Sequence, residues 1–270
     1  MHRIIIISIC FIPFLNGFSQ SDTSICNSIK SNLVDNNNMK QGIWTLEEKR
    51  ISEEKGEYYL TAKGCYTNNL RTGIWKFYDI TGIVLEEFRY QNDTLHGEAI
   101  LYYDTGVKKI IENFEKGIPN GMWSYSFPSG ETFIQENYIN GLLTGECKRF
   151  FENGDLEELS TYKEGVKNGK YLLYSQNRIL IEEVDYLKGK RNGMWIKYYS
   201  TGELKYTSNI NDNGFLEGLE VDYYQSGKIK KETIFMDNVK NGDQKFYDQT
   251  GKLIKIITFE NGRPTNTQVF

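Results

Sequence analysis

The sequence predicts an all-β protein: an elongated, twisted, single-layer antiparallel sheet of about nine consecutive β-hairpin repeats. Three observations carry this expectation. Glycines at 73, 97, 121, 145, 169, 193, 218 and 242 are spaced by 24, 24, 24, 24, 24, 25 and 24 residues, and a fixed period in this range marks a solenoid or a strand array. Aromatic residues make up 14% of the chain (19 Tyr, 15 Phe and 4 Trp), beside 25 Gly and only 4 Pro, a mixture suited to short strands and tight turns. Between the glycines, stretches such as Trp75-Lys76-Phe77-Tyr78 alternate in polarity, as a half-buried strand does. A glycine every nine to fifteen residues disfavours helix.

The first element, residues 1–19, reads as a signal peptide. Met1-His2-Arg3 supplies a positive start, Ile4 to Leu15 a twelve-residue apolar core, and Gly17-Phe18-Ser19 the small residues for cleavage before Gln20. That core is shorter than the about 20 residues a membrane-spanning helix needs, so the expectation is export: periplasmic, cell-envelope associated or secreted. Outside the cytoplasm the mature Cys26, Cys65 and Cys147 are free to form disulfides. Cys26 with Cys65 is the candidate bridge, pinning the N-terminal polar segment 20–41. Cys147, at a position held by Trp in other repeats, is expected to act as a small buried apolar residue.

An enlarged first repeat follows at 42–72, a cap whose Gly42-Ile43-Trp44 precedes Gly73 by 31 residues, so that its seven extra residues fall around Glu48 to Gly56. Eight regular repeats occupy 73–265, and 266–270 are left as a C-terminal tail. Counting each repeat glycine as position 0, one strand runs to about position 6, and a turn follows with a second glycine at position 9, replaced once by Arg178. A second strand then reaches an apolar, mostly aromatic residue at position 17, such as Tyr90, Phe114 or Tyr138. Two such strands joined by a Gly turn make a hairpin. Alternation places positions 11, 13, 15 and 17 on one face of the second strand.

Position 5 carries a structural ladder, Tyr78, Tyr102, Phe150, Tyr174, Tyr198, Tyr223 and Tyr247. Equal hairpins are expected to lay each ring over the next as the core, with Tyr198→Ala costing about 3 to 5 kcal/mol. Position 6, on the opposite face, carries Tyr103, Phe127, Phe151, Tyr199 and Tyr224. These form a candidate binding strip, since exposed aromatic area is what interface anchors are made of. The competing expectation packs them against the Trp of their own strand, Trp123 or Trp195.

Charge and composition exclude several classes. The formal charge is −4, and becomes −5 once Arg3 is removed with the leader; acidic and basic residues interleave throughout, unlike the basic face of a nucleic-acid binder. That balance also disfavours anionic lipid. His2 and His96 are the only histidines, which rules out multi-His metal sites, and His96 falls at a turn position. No phosphate loop, His-Glu-x-x-His pair, Cys-x-x-Cys pair or nucleophile elbow occurs. The adjacent carboxylates Glu157 and Glu158 are expected on opposite faces of a strand, unable to converge. The expectation is therefore no catalytic residue, no metal and no cofactor: not an enzyme.

Units such as Asn192-Gly193-Met194-Trp195-Ile196-Lys197-Tyr198-Tyr199-Ser200-Thr201-Gly202-Glu203-Leu204 and Asn120-Gly121-Met122-Trp123 resemble the bacterial variant of the MORN repeat, the membrane occupation and recognition nexus motif. The resemblance covers about residues 39 to 265. It implies an elongated sheet of consecutive hairpins, non-catalytic as a rule, with roles in protein scaffolding and, for some members, lipid-surface binding. Many bacterial members are described as antitoxin components of toxin–antitoxin systems. Arg178, Cys147 and Ala99 depart from the pattern, which argues against a uniform binding surface. The function expected is an exported, non-enzymatic scaffold that binds another protein, antitoxin-like or immunity-type. The alternative is adhesion to a membrane surface, envelope polymer or glycan. The terminal edge strands offer pairing between copies as a route to a homo-oligomer.

Overall fold

The computed structural model describes residues 31–52 and 56–270. The leader and the first half of the polar segment, Cys26 included, lie outside them. Among the described residues there is no helix; 22 strands form one antiparallel sheet that runs in chain order, the two-residue strands Ile118–Pro119 and Leu142–Leu143 lying on the same neighbour as the strands Gly121–Ser126 and Gly145–Phe150 that follow them. Two kinds of turn produce this meander. Within a unit, the strands are joined by a five-residue turn: Tyr103 N–H donates to Val107 O and Gly106 N–H to Tyr103 O, both at 2.8 Å. The fourth turn residue has positive φ, 81° at Gly106 and 61° at Arg178, the conformation glycine adopts at least cost. Between units, two-residue turns such as Asn140-Gly141 have φ of 50° and 82°, the type I′ geometry that matches strand twist. The one 25-residue spacing arises because Asn211–Phe215 replaces a two-residue turn with a five-residue one.

The first hairpin is the longest. Lys40–Ser52 pairs with Gly56–Thr67, from Gly42↔Tyr66 to Ser52↔Gly56, so the extra residues lengthen its strands. Part of the polar segment joins the sheet, with Leu33–Val34 on Lys40 and Gln41. At the other end Arg263–Val269 pairs with Leu253–Glu260, out to Lys255↔Val269. The expected tail at 266–270 is therefore largely strand, because its residues complete the last backbone ladder.

Bulges decide which residues share a face. Phe77 pairs with Glu86, but Tyr78 pairs with Val84, leaving Leu85 as an extra residue. An extra residue reverses the alternation beyond it. Val84 (position 11) thus shares the face of Tyr78, whereas Glu86 (position 13) shares that of Phe77. This corrects the expectation that positions 11, 13, 15 and 17 lie together. A second shift, between Lys63↔Lys76 and Cys65↔Thr72, surrounds Gly73 at φ 67°.

One face, here the ring face, carries positions 2, 4, 13, 15 and 17, and holds the principal core cluster toward the N-terminal end. Trp75 and Phe77 are fully buried there, with Leu60, Ala62 and Phe88 around them. Toward the C-terminus the same positions hold buried Ser160, Ser208, Thr233 and Gln244.

The other face carries the position-5 ladder, and here the stacking expectation fails for a geometric reason. Successive ladder residues are two strands apart, about 10 Å, so each meets the strand between them and not the next ring. The Tyr198 hydroxyl donates to Glu183 Oε1 at 2.7 Å and that of Tyr247 to Glu232 Oε2 at 2.6 Å. Both tyrosines are half-buried. Burial, then the Glu183 carboxylate, pushes the Tyr198 phenol up to about 12. Tyr198→Ala should therefore cost about 1–2 kcal/mol, from partial burial plus one charge-assisted hydrogen bond. A urea unfolding curve measures this, and a loss above 3 kcal/mol would restore the buried ladder.

Candidate functional site

The position-6 strip forms the first residue of each five-residue turn. Its rings are half-buried, and its hydroxyls reach forward to the next unit. Tyr103 donates to Ser126 O at 2.7 Å, Tyr199 to Tyr223 O at 2.6 Å and Tyr224 to Tyr247 O at 2.8 Å. Lys109, Lys205 and Lys230 stand over the same three rings at 5.4, 5.5 and 5.8 Å. Phe127 packs on Phe133, 4.9 Å between centroids. Phe151 begins its turn in the same way, its N–H donating to Asp155 O. The geometry makes this row a tie between consecutive turns, with neither the open strip nor the packing against Trp123 or Trp195 that the sequence suggested.

The ring face holds a row that sequence reasoning missed, two residues before each repeat glycine. Lys40 lies 4.9 Å from the Trp44 ring and 4.8 Å from that of Tyr66. Arg71 stands 4.1 Å over Tyr90, Arg191 4.4 Å over Trp195, and Lys240 4.9 Å over Phe259. Lys167 sits among Tyr171, Tyr186 and Tyr162 at 4.7, 5.3 and 6.0 Å. A cation over a ring face is held by the ring quadrupole, more strongly as water is removed. In the three units between, the row is Leu95, Pro119 and Leu143. The signal was available: aligning the copies on their glycines puts Lys or Arg in this column five times of nine.

Ring-face carboxylates are mostly paired with cations of the same face. Glu86 meets Arg50 at 3.3 Å, Glu182 meets Arg191 at 3.5 Å and Glu220 meets Lys231 at 3.4 Å. Glu157 and Glu158 converge, against expectation. Arg149 Nε reaches Glu157 at 2.7 Å and its Nη2 reaches Glu158 at 2.6 Å. The cause is again the bulge: Arg149 pairs with Glu158 and Phe150 with Leu156, so Glu157 is the extra residue and swings toward its neighbour's partner. The pair serves as a clamp on one guanidinium.

The remaining candidates have structural surroundings. His96 Nδ1 accepts from Lys116 N–H at 3.4 Å, beside a turn. Cys147 is a half-buried free thiol, and burial followed by the Glu136 charge pushes it up to about 11, far from a reactive thiolate. Cys65 is buried and disulfide-bonded; the expected pairing with Cys26 lies outside the described residues. Among the described residues no group of three or more His, Cys, Asp or Glu is arranged to hold a metal ion. A shallow groove of about 620 Å³ on the ladder face is lined by Lys63, Lys76, Tyr78, Arg89 and His96, with Lys76 held by Glu87 at 3.1 Å. The ring face, in contrast, runs through every unit.

Five segments, residues 95–116, 143–164, 191–212, 216–237 and 240–261, match the MORN repeat variant family. The chain matches no curated protein at a significant level.

Proposed function

The chain is a MORN-repeat-variant protein, and from that premise we propose that it is an exported, non-enzymatic scaffold binding another protein along its ring face. One observation carries this reading. The face is continuous from Trp44 to Phe259, and most of its rings outside the N-terminal core are only half-buried. Partly exposed rings in a row supply large, rigid contact area at low entropic cost. Export rests on the leader at 1–19, and an immunity-type role would follow if the bound partner proved to be a toxin.

Photo-crosslinking tests the face. A photoreactive phenylalanine analogue at Phe114 or Tyr162, on the ring face, should give adducts with one partner in cell-envelope extracts. The same analogue at exposed Met122 or Met194, on the ladder face, should give none. Adducts from the ladder face alone would overturn the assignment, and adducts to glycan or lipid would favour adhesion. Mass spectrometry of the protein recovered from the envelope should find Gln20 as the first residue; recovery from cytosol beginning at Met1 would sink export.

A further inference from the structure

We propose that Trp123, Glu112 and Glu136 form a docking site for a lysine or arginine side chain in an extended segment of the partner protein. The inference rests on the reading of the ring face as the binding surface, and it names the partner's chemistry. Two columns of the repeat converge on it. At position 15 the copies carry Gly64, Phe88, Ser160, Val184, Ser208, Thr233 and Ile257, small or uncharged residues; Phe88, Ser160 and Thr233 pair directly with position 2 of the next unit, Ala99, Tyr171 and Gln244. Gly64 faces Trp75, and Thr233 accepts from Gln244 Nε2 at 3.0 Å. In two consecutive units the residue is instead Glu112 and Glu136.

Both carboxylates flank one indole. Glu136 pairs directly across from Trp123. Glu112 lies one residue beyond the Ile111↔Ser124 pair, toward Trp123 from the other side. Phe114 and Tyr138 complete the box, their ring centroids 5.5 and 4.5 Å from that of Trp123. Tyr138 donates its hydroxyl to Glu136 Oε2 at 2.8 Å. Among the described residues no hydrogen bond or ion pair reaches the Glu112 carboxylate. Its carboxyl is pushed up by burial and by the neighbouring Glu136 charge, as expected of an anion lacking its counter-ion.

The same molecule shows what such a box holds. In the unit two repeats on, Lys167 sits among three tyrosines and 3.6 Å from Glu158. Its counterpart in the Trp123 unit is Pro119, and the flanking units have Leu95 and Leu143. The two added carboxylates thus fall in the longest run of units without a ring-capping cation of their own, the other unit without one being that of Leu216. Rings plus carboxylates without an internal cation are complementary to a cation brought by a partner.

The test is binding of a labelled hexalysine peptide at physiological salt, followed by fluorescence anisotropy. Glu112→Gln with Glu136→Gln should weaken binding at least about tenfold, the loss of about 1.4 kcal/mol. Pro119→Lys, which supplies the cation from within, should weaken it comparably while circular dichroism stays unchanged. A control with the same charge change on the ladder face, Glu98→Gln with Glu146→Gln, should shift affinity less than twofold. Equal affinity in all variants, an equal loss in the control, or no binding by the native protein would each overturn the proposal. Failure here with ring-face crosslinks intact would discard the cation site alone; absence of those crosslinks would discard the binding face itself.

Discussion

Gly64→Ala is expected to destabilise the protein by about 3 kcal/mol or more, the upper range for overpacking a core. An added Cβ would lie 2.1 Å from Cδ2 and 2.3 Å from Cε2 and Cγ of Trp75. The indole has little freedom to retreat. It is fully buried, its Nε1 donates to Cys65 O at 3.1 Å, and the Tyr66 ring stands 5.0 Å from it. Gly64 itself does not have positive φ, so the substitution adds no left-handed strain and isolates the packing term. The pairs Gly64 with Trp75 and Phe88 with Ala99 show the rule: each couples a large residue to a small one across adjacent hairpins, filling a constant volume. Gly64→Ala and Trp75→Ala should then be strongly coupled, the double variant losing less than the sum of the singles. Chemical unfolding of the four species measures this, and a single-variant loss under about 1 kcal/mol would refute the contact.

The period was legible because each unit needs glycines at fixed places, and nine copies act as an internal alignment. Strands, their order and the five-residue turns follow from it. Faces did not follow, because one bulged residue, Leu85 or Glu157, reverses every side chain beyond it without changing composition or period. The ladder was misjudged for another reason: equivalent residues recur every second strand, so Tyr198 meets Glu183 of the intervening strand before it could reach Tyr174, and Leu204 before it could reach Tyr223. The Asn-Gly, Lys-Gly and Glu-Gly dipeptides at 140, 116 and 164 were an overlooked signal for the inter-unit turns. The cation column and the two outlying glutamates were equally present in the sequence. Their meaning depended on knowing that positions −2, 2, 15 and 17 share a face, which the bulges conceal.

Phe77→Ala should cost about 3–5 kcal/mol, and the loss should be confined to one end of the molecule. Phe77 is fully buried, 5.4 Å from the Phe88 ring, with the Arg50 guanidinium 5.0 Å over it. It pairs with Ala62 on one side and Glu86 on the other, so its removal opens a cavity shared by three strands. In an array where each hairpin touches only its neighbours, stability is a sum of unit and interface terms. A local deficit therefore lowers the opening free energy nearby and fades along the ribbon. Hydrogen exchange should show lost amide protection across Leu70–Gln91 and the strand Gly56–Thr67, while Val239–Glu260 exchanges as in the native protein. Phe246→Ala, at the same position of the last regular unit but only half-buried, should cost about 1–2 kcal/mol and reverse the pattern of ends. Uniform loss of protection in either variant would mean that the sheet unfolds as one cooperative body, and the nearest-neighbour description of the ribbon would have to be abandoned.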